Sequence, residues 1–246
     1  KFTAPDVEIR TPLEFELVVK DNYGAPSPPD KVVVTVDQVK FFGTAPGGPE
    51  DYEHLLTYFD QITPENAGKW GSVEGTRDTM NWAALDTAYQ TATANNLKFK
   101  FHTLLWGQQQ PGWIAALPAA EQLEEIEEWM AAVAARYPDL EYVEVLNEPL
   151  NAPPPYREAL GGSGTTGFDW VIESFELARK HFPGAKLILN EYNVIVEDGI
   201  TTNYLTVINL LKERGLIDGV GEQAHFYERA NTVVLAPNLD RLAATG

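Results

Sequence analysis

The 246 residues are 44% hydrophobic and 22% charged, which is apolar enough to bury a core in one large or two smaller domains and too apolar for an intrinsically disordered chain. A formal charge of −18, from 18 basic against 36 acidic residues, repels phosphate backbones and anionic lipid surfaces, so nucleic acid and membranes are excluded as partners while neutral ligands are not penalised. The absence of cysteine excludes disulfides and thiolate metal sites. No apolar run approaches the roughly 18 residues of a membrane span, and Lys1-Phe2-Thr3-Ala4-Pro5 lacks the charged-then-apolar pattern of an export signal. The chain is therefore expected to start inside a longer polypeptide.

Leu13, Phe15, Leu17 and Val19 alternate with Glu14, Glu16 and Val18, the period-two pattern of a half-buried strand over residues 13–19. Residues 32–36, Val32-Val33-Val34-Thr35-Val36, read as a second strand. The Gly-, Pro- and Asp-rich link Asp21-Asn22-Tyr23-Gly24-Ala25-Pro26-Ser27-Pro28-Pro29-Asp30 between them predicts a hairpin-like pair. Together with Phe2-Thr3-Ala4-Pro5, this segment resembles the closing strands of bacterial immunoglobulin-like modules of the polycystic-kidney-disease type. That resemblance implies a module tail over residues 1–37. The alternative is an ordinary β-hairpin packed under the next domain.

Beyond Val39 apolar strands alternate with helix-like segments, the βαβ signature of a parallel sheet or barrel. Six strands are predicted: Phe41-Phe42-Gly43-Thr44, the approach to Ile62-Thr63, and residues 98–102, 142–146, 186–189 and 219–223. Between them Leu123, Ile126, Trp129, Met130 and Val133 make one stripe at helical spacing, so Trp129 belongs to a core rather than to a ligand platform. Residues 170–178 and 205–211 repeat that pattern, with Gly215 as a helix stop. Gly161-Gly162-Ser163-Gly164 fits no phosphate-loop spacing and reads as a flexible loop.

The unusual polar residues fall just after the C-terminal ends of the predicted strands, the active face of a barrel. Asn, Gln, His, Glu and Lys supply directional donors and acceptors, and Trp an apolar face, the combination that a sugar ring requires. Thr63-Pro64-Glu65-Asn66-Ala67-Gly68-Lys69-Trp70, His102-Thr103-Leu104-Leu105-Trp106-Gly107-Gln108-Gln109, Val145-Leu146-Asn147-Glu148-Pro149, Asn190-Glu191-Tyr192-Asn193 and Gly219-Val220-Gly221-Glu222-Gln223-Ala224-His225 resemble, in order, the strand-end motifs of glycoside hydrolase family 10.

The resemblance implies an α/β fold, a (β/α)8 TIM barrel of which residues 38–246 carry about six of eight strands, and an endo-β-1,4-xylanase that hydrolyses internal xylan bonds with retention. It makes Glu148 the general acid/base and Asn147 a contact to the sugar 2-hydroxyl. Glu65, Asn66 and Lys69 become the wall of the distal glycone subsite. His102, Trp106, Gln109, Gln223 and His225 surround the scissile sugar, and Tyr192 lines the leaving-group side. Xylan and xylo-oligosaccharides are the implied partners of a secreted monomer that needs no cofactor and no metal.

Independent of the resemblance, a retaining glycosidase requires a protonated carboxyl and a second carboxylate roughly 5–5.5 Å away as nucleophile. Glu222 is expected to face away from Gln223 and His225 by strand alternation, and so to be a poor second carboxylate. The family nucleophile is a Glu on a seventh strand, expected beyond Gly246. This makes the chain a fragment truncated at both ends and inactive alone. Two departures stand out: Gly107 where the family usually has a second His, and Glu191 where it usually has Asp. The alternatives are a non-catalytic carbohydrate-binding protein and a barrel hydrolase acting on another β-glycan such as glucan.

Overall fold

In the computed structural model, which describes residues 5, 11–36, 40–48, 55–225, 227–229 and 231–246, the N-terminal alternation becomes an antiparallel pair. Strand β1 (Thr11–Leu17) pairs with β2 (Asp30–Val36) in the register Leu13 to Val34, Phe15 to Val32 and Leu17 to Asp30. This register puts Thr11, Leu13, Phe15, Leu17, Val32, Val34 and Val36 on one face and Pro12, Glu14, Glu16, Lys31, Val33 and Thr35 on the other. The first strand begins and ends two residues earlier than its alternation suggests, because Val18 and Val19 leave the ladder to enter the turn. There Asp21 Oδ1 accepts from the amides of Tyr23 (2.8 Å) and Ala25 (2.9 Å), and Gly24 takes φ +85°. Phe2-Thr3-Ala4 and the expected 37/38 boundary lie outside the described residues. The chain divides into units of residues 1–42 and 43–246.

The second unit is an incomplete (β/α)8 barrel. Its strands β3 (Gly43–Thr44), β4 (Gln61–Ile62), β5 (Lys98–Phe101), β7 (Tyr142–Asn147), β8 (Lys186–Glu191) and β9 (Gly219–Glu222) are neighbours in that order and all parallel. The six predicted strands are all present, but Phe41-Phe42 lies outside any strand. A further short strand, β6 (Leu105–Trp106), pairs with the end of β7. Among the described residues β3 and β9 each have one strand partner, so the path does not close.

Helices α1 (Trp70–Val73), α2 (Ala83–Ala94), α3 (Ala119–Arg136), α4 (Asp169–His181), α5 (Asp198–Lys212) and α6 (Thr232–Ala243) occupy the connections or, for α6, follow β9. No helix among the described residues is long and apolar enough to cross a membrane. The α3 stripe buries Ile126, Trp129, Met130 and Val133, with Leu123 partly covered. Trp129 is the centre of this layer: its ring stacks between Trp70 (5.9 Å) and Trp82 (5.8 Å), and its Nε1 donates to Leu104 O at 2.9 Å. Phe99 and Phe101 of β5 point into the same layer, which leaves Lys100 and His102 for the barrel interior.

Two local irregularities position the site. In β7 the pairing with β8 shifts between Glu144 and Leu146, a β-bulge. Strict alternation would place Glu144 and Asn147 on opposite faces, and the extra residue brings both to the interior. The run Gly161-Gly162-Ser163-Gly164, expected as a flexible loop, is a hydrogen-bonded turn: Gly162 N donates to Arg157 O (3.0 Å) and Trp170 N to Gly162 O (2.9 Å). Gly161, Gly162 and Gly164 all have positive φ, a requirement that glycine meets without strain.

Candidate active site

The interior strand ends enclose a cavity of about 450 Å³ lined by Ala45, Thr63, Glu65, Lys69, Lys100, His102, Trp106, Asn147, Glu148, Asn190, Glu222, Gln223 and His225. Of the residues anticipated from the sequence, Glu65, Lys69, His102, Trp106, Asn147, Glu148, Gln223 and His225 meet there. Asn66 and Gln109 stand one bond behind it, holding Lys69. Tyr192 is not among the lining residues. Two hollows of about 370 and 410 Å³ flank the loop before β7, at the opposite strand ends, and gather no comparable ring of donors.

Glu148 is 7% exposed and sits just past β7 with φ +55°, a conformation costing a non-glycine residue about 1–3 kcal/mol unless its surroundings enforce it. They do. Glu148 N donates to Asn190 O (2.8 Å), continuing the ladder to β8, and Ala152 N closes the turn on Glu148 O (2.8 Å). The buried Glu191 carboxylate accepts from Leu150 N (2.8 Å), Asn151 Nδ2 (2.9 Å) and Tyr192 N (2.8 Å), anchoring the loop that follows. Burial holds the Glu191 carboxyl above the usual range, those hydrogen bonds only partly offset it, and nearby Glu148 adds to the rise.

Both Glu148 oxygens are held by side-chain donors: Trp106 Nε1 to Oε2 at 2.9 Å and Gln223 Nε2 to Oε1 at 2.9 Å. Gln223 Nε2 also reaches Asn147 Oδ1 (3.1 Å), which accepts from Asn190 Nδ2 (2.9 Å). Trp106 owes its aim to the pairing of β6 with β7 beside Asn147. The Lys69 ammonium lies 4.9 Å over the Trp106 ring and donates to Gln109 Oε1 (2.6 Å) and Asn66 Oδ1 (3.1 Å). Burial pulls Lys69 below the usual lysine range, against the opposing pull of Glu65, Glu148 and Glu144.

Three features were not anticipated. Lys100, in β5, lines the cavity. Behind it Glu144, wholly buried, binds Lys100 Nζ (3.1 Å) and His102 Nδ1 (2.8 Å). Glu222 lines the same cavity as Gln223 and His225, contrary to the alternation argument, because β9 ends at Glu222 and Ala224 turns to φ +52°. Its oxygens accept from the amides of Val194 (3.1 Å) and Ala224 (2.9 Å), and burial raises its carboxyl above the usual range.

Gly107 has a steric reason. A Cβ there would lie 2.2 Å from Ala152 O and 2.6 Å from Pro153 O, so the backbone after Glu148 fills the space of any side chain. The neighbouring Gln108 does not line the cavity. Gly107→Ala is expected to lower stability by about 1–3 kcal/mol in urea unfolding, because the loop must shift to admit the methyl. Outside the cavity, Glu74, Asp78 and Glu125 bring carboxylate oxygens within 4.8 Å of one another. Glu74 already accepts from Trp70 Nε1 and Asp78 N, and Glu125 from Arg77 Nε.

The model of glycosyl hydrolase family 10 matches residues 31–246, more than half of the chain. The chain belongs to this family. The match begins inside β2, so one strand of the N-terminal pair falls within it and the other outside. Endo-1,4-beta-xylanase B of Cellvibrio japonicus is 42% identical over 187 residues, covering 76% of this chain and 30% of that protein. Endo-1,4-beta-xylanase 1 of Gibberella zeae is 32% identical over 195 residues, covering 76% of this chain and 55% of that one. A xylanase from Thermotoga petrophila, solved in complex with xylobiose, superposes with a TM-score of 0.73 at 26% identity over 84% of this chain and 67% of that one. The chain thus spans about a third to a half of these curated relatives' length. The family assignment agrees with the barrel described above.

Proposed function

We propose that this family 10 chain carries the acid/base carboxyl and the glycone-binding face of a retaining endo-β-1,4-xylanase. The observation that carries the reading is the setting of Glu148. It is a buried carboxyl with both oxygens oriented by donors, in a cavity whose other groups include the Asn, Gln, His, Lys and Trp suited to a sugar. Support also comes from xylanases among the relatives and from a structural neighbour that holds xylobiose.

In this reading Glu148 gives its proton to the departing glycosidic oxygen and then takes one from water. Asn147 and Gln223 hold the sugar beside it. Lys69, fixed by Asn66 and Gln109, and Glu65 bind the next sugar outward. His102, Trp106 and His225 enclose the scissile ring, and Tyr192 serves the leaving-group side. Retention also requires a second carboxylate as nucleophile, and this reading assigns it to a glutamate on a further strand beside β9. Glu222, whose oxygens accept from the backbone amides of Val194 and Ala224, is given a structural role in this reading. A polymeric substrate places the action outside the cell. The reading takes the protein to be a monomer and the β1 and β2 pair to be the tail of an immunoglobulin-like module.

The test compares reducing-sugar release from xylan and from carboxymethyl-cellulose by the intact protein and by residues 1–246 alone. The expected result is turnover of xylan by the intact protein only. Xylotriose binding without turnover by the intact protein points instead to a non-catalytic binder, faster release from carboxymethyl-cellulose to a glucanase, and turnover by residues 1–246 removes the need for the further glutamate.

A further inference from the structure

We propose that Glu144 is a positioning residue that sets the tautomer of His102, so that the imidazole offers an acceptor, Nε2, to the cavity beside the ammonium donor of Lys100. Glu144 is 0% exposed and does not line the cavity, yet each of its oxygens holds a group that does: Oε1 lies 2.8 Å from His102 Nδ1 and Oε2 3.1 Å from Lys100 Nζ.

The Lys100 ammonium, 3.1 Å from Oε2, offsets the burial of Glu144 and keeps it a carboxylate. An ionised carboxylate only accepts, and the 2.8 Å contact therefore requires the hydrogen to sit on Nδ1. In the neutral ring Nε2 then carries a lone pair, and with Nδ1 committed to Glu144 it is the nitrogen available to the cavity. An acceptor next to the Lys100 donor matches a hydroxyl, which donates once and accepts from the other side. This consequence rests on the sugar-binding reading; the tautomer itself does not.

Glu144→Gln separates the roles of the two oxygens. The amide has one acceptor, which the Lys100 ammonium claims, and this turns the NH2 toward His102 Nδ1. The ring must then carry its hydrogen on Nε2, and the cavity loses its acceptor. Glu144→Asp keeps a carboxylate and is expected to keep the original tautomer.

The experiment is long-range ¹H–¹⁵N NMR of the imidazoles in the intact protein at neutral pH, with the His102 signals assigned by their loss in His102→Gln. The expected result is the Nδ1–H tautomer in the unaltered protein and in Glu144→Asp, and the Nε2–H tautomer in Glu144→Gln. An Nε2–H ring or an imidazolium in the unaltered protein overturns the proposal, as does an unchanged tautomer in Glu144→Gln. The spectrum of the unaltered protein decides alone if that variant does not fold. Calorimetric titration with xylotriose is expected to show about tenfold weaker binding in Glu144→Gln, the loss of one hydrogen bond. Equal affinity with an inverted tautomer overturns the cavity consequence. No xylotriose binding by the unaltered protein sinks the sugar reading and leaves the tautomer result standing.

Discussion

Glu148→Gln in the intact protein is expected to lower kcat on unactivated xylan by about 10²–10⁴-fold, the usual worth of a positioned general acid. The leaving oxygen of a xylan bond departs as a poor leaving group unless it is protonated as the bond breaks, and an amide has no proton to give. On an aryl xyloside with a very acidic leaving phenol the first step needs little protonation, so its loss is expected to be far smaller. Comparing burst rates on the two substrates tests this, and equal losses count against the acid/base role. The variant also has a structural cost that must be kept apart from the chemistry. Trp106 Nε1 and Gln223 Nε2 each donate to one Glu148 oxygen, and a glutamine offers a single acceptor. One donor loses its partner, at about 1 kcal/mol, which an unfolding curve detects and a leaving-group comparison does not.

The parts of this site legible in the sequence were those that lie beyond the ends of regular strands. Thr63, Glu65, Lys69, Trp106, Asn147, Glu148, Gln223 and His225 each end or follow a strand, and the structure draws them to one cavity. Glu144 was hidden for a physical reason. It lies in the middle of β7, where a charged residue reads as one outward position of an alternating strand. Only the bulge between Glu144 and Leu146 puts it on the same face as Asn147, and a bulge leaves no mark in the pattern of apolar residues. Lys100 was concealed in the same way, since Lys98-Phe99-Lys100-Phe101 alternates whether the lysines face solvent or the barrel interior. The failure at Glu222 has the opposite cause. Alternation was carried past the strand's last residue, into a backbone turn at Ala224 where it no longer applies. Gly107 shows a further limit, because the atoms that exclude its side chain belong to Ala152 and Pro153, 45 residues or more along the chain.

Trp129→Ala is expected to cost the barrel about 3–5 kcal/mol, a large share of the 5–15 kcal/mol that holds a typical domain folded. Trp129 is fully buried, and its stripe on α3 faces β5 through Phe101, with ring centroids 6.3 Å apart. Truncation leaves a cavity beside Trp70 and Trp82, whose rings both stack against Trp129. It also removes the Nε1 donor from Leu104 O, a carbonyl with no access to water at a residue that is 0% exposed. Trp129→Phe keeps part of the stack but loses the N–H together with the volume of the pyrrole ring; about 1–3 kcal/mol is expected. Leu104 lies between His102 and Trp106, so its release loosens the segment that carries two cavity groups. Both variants are therefore expected to weaken xylotriose binding although Trp129 touches no ligand. Urea unfolding with an unchanged m-value measures the stability loss. A Trp129→Ala midpoint within error of the unaltered protein would show that the tryptophan stack is not the keystone of this layer.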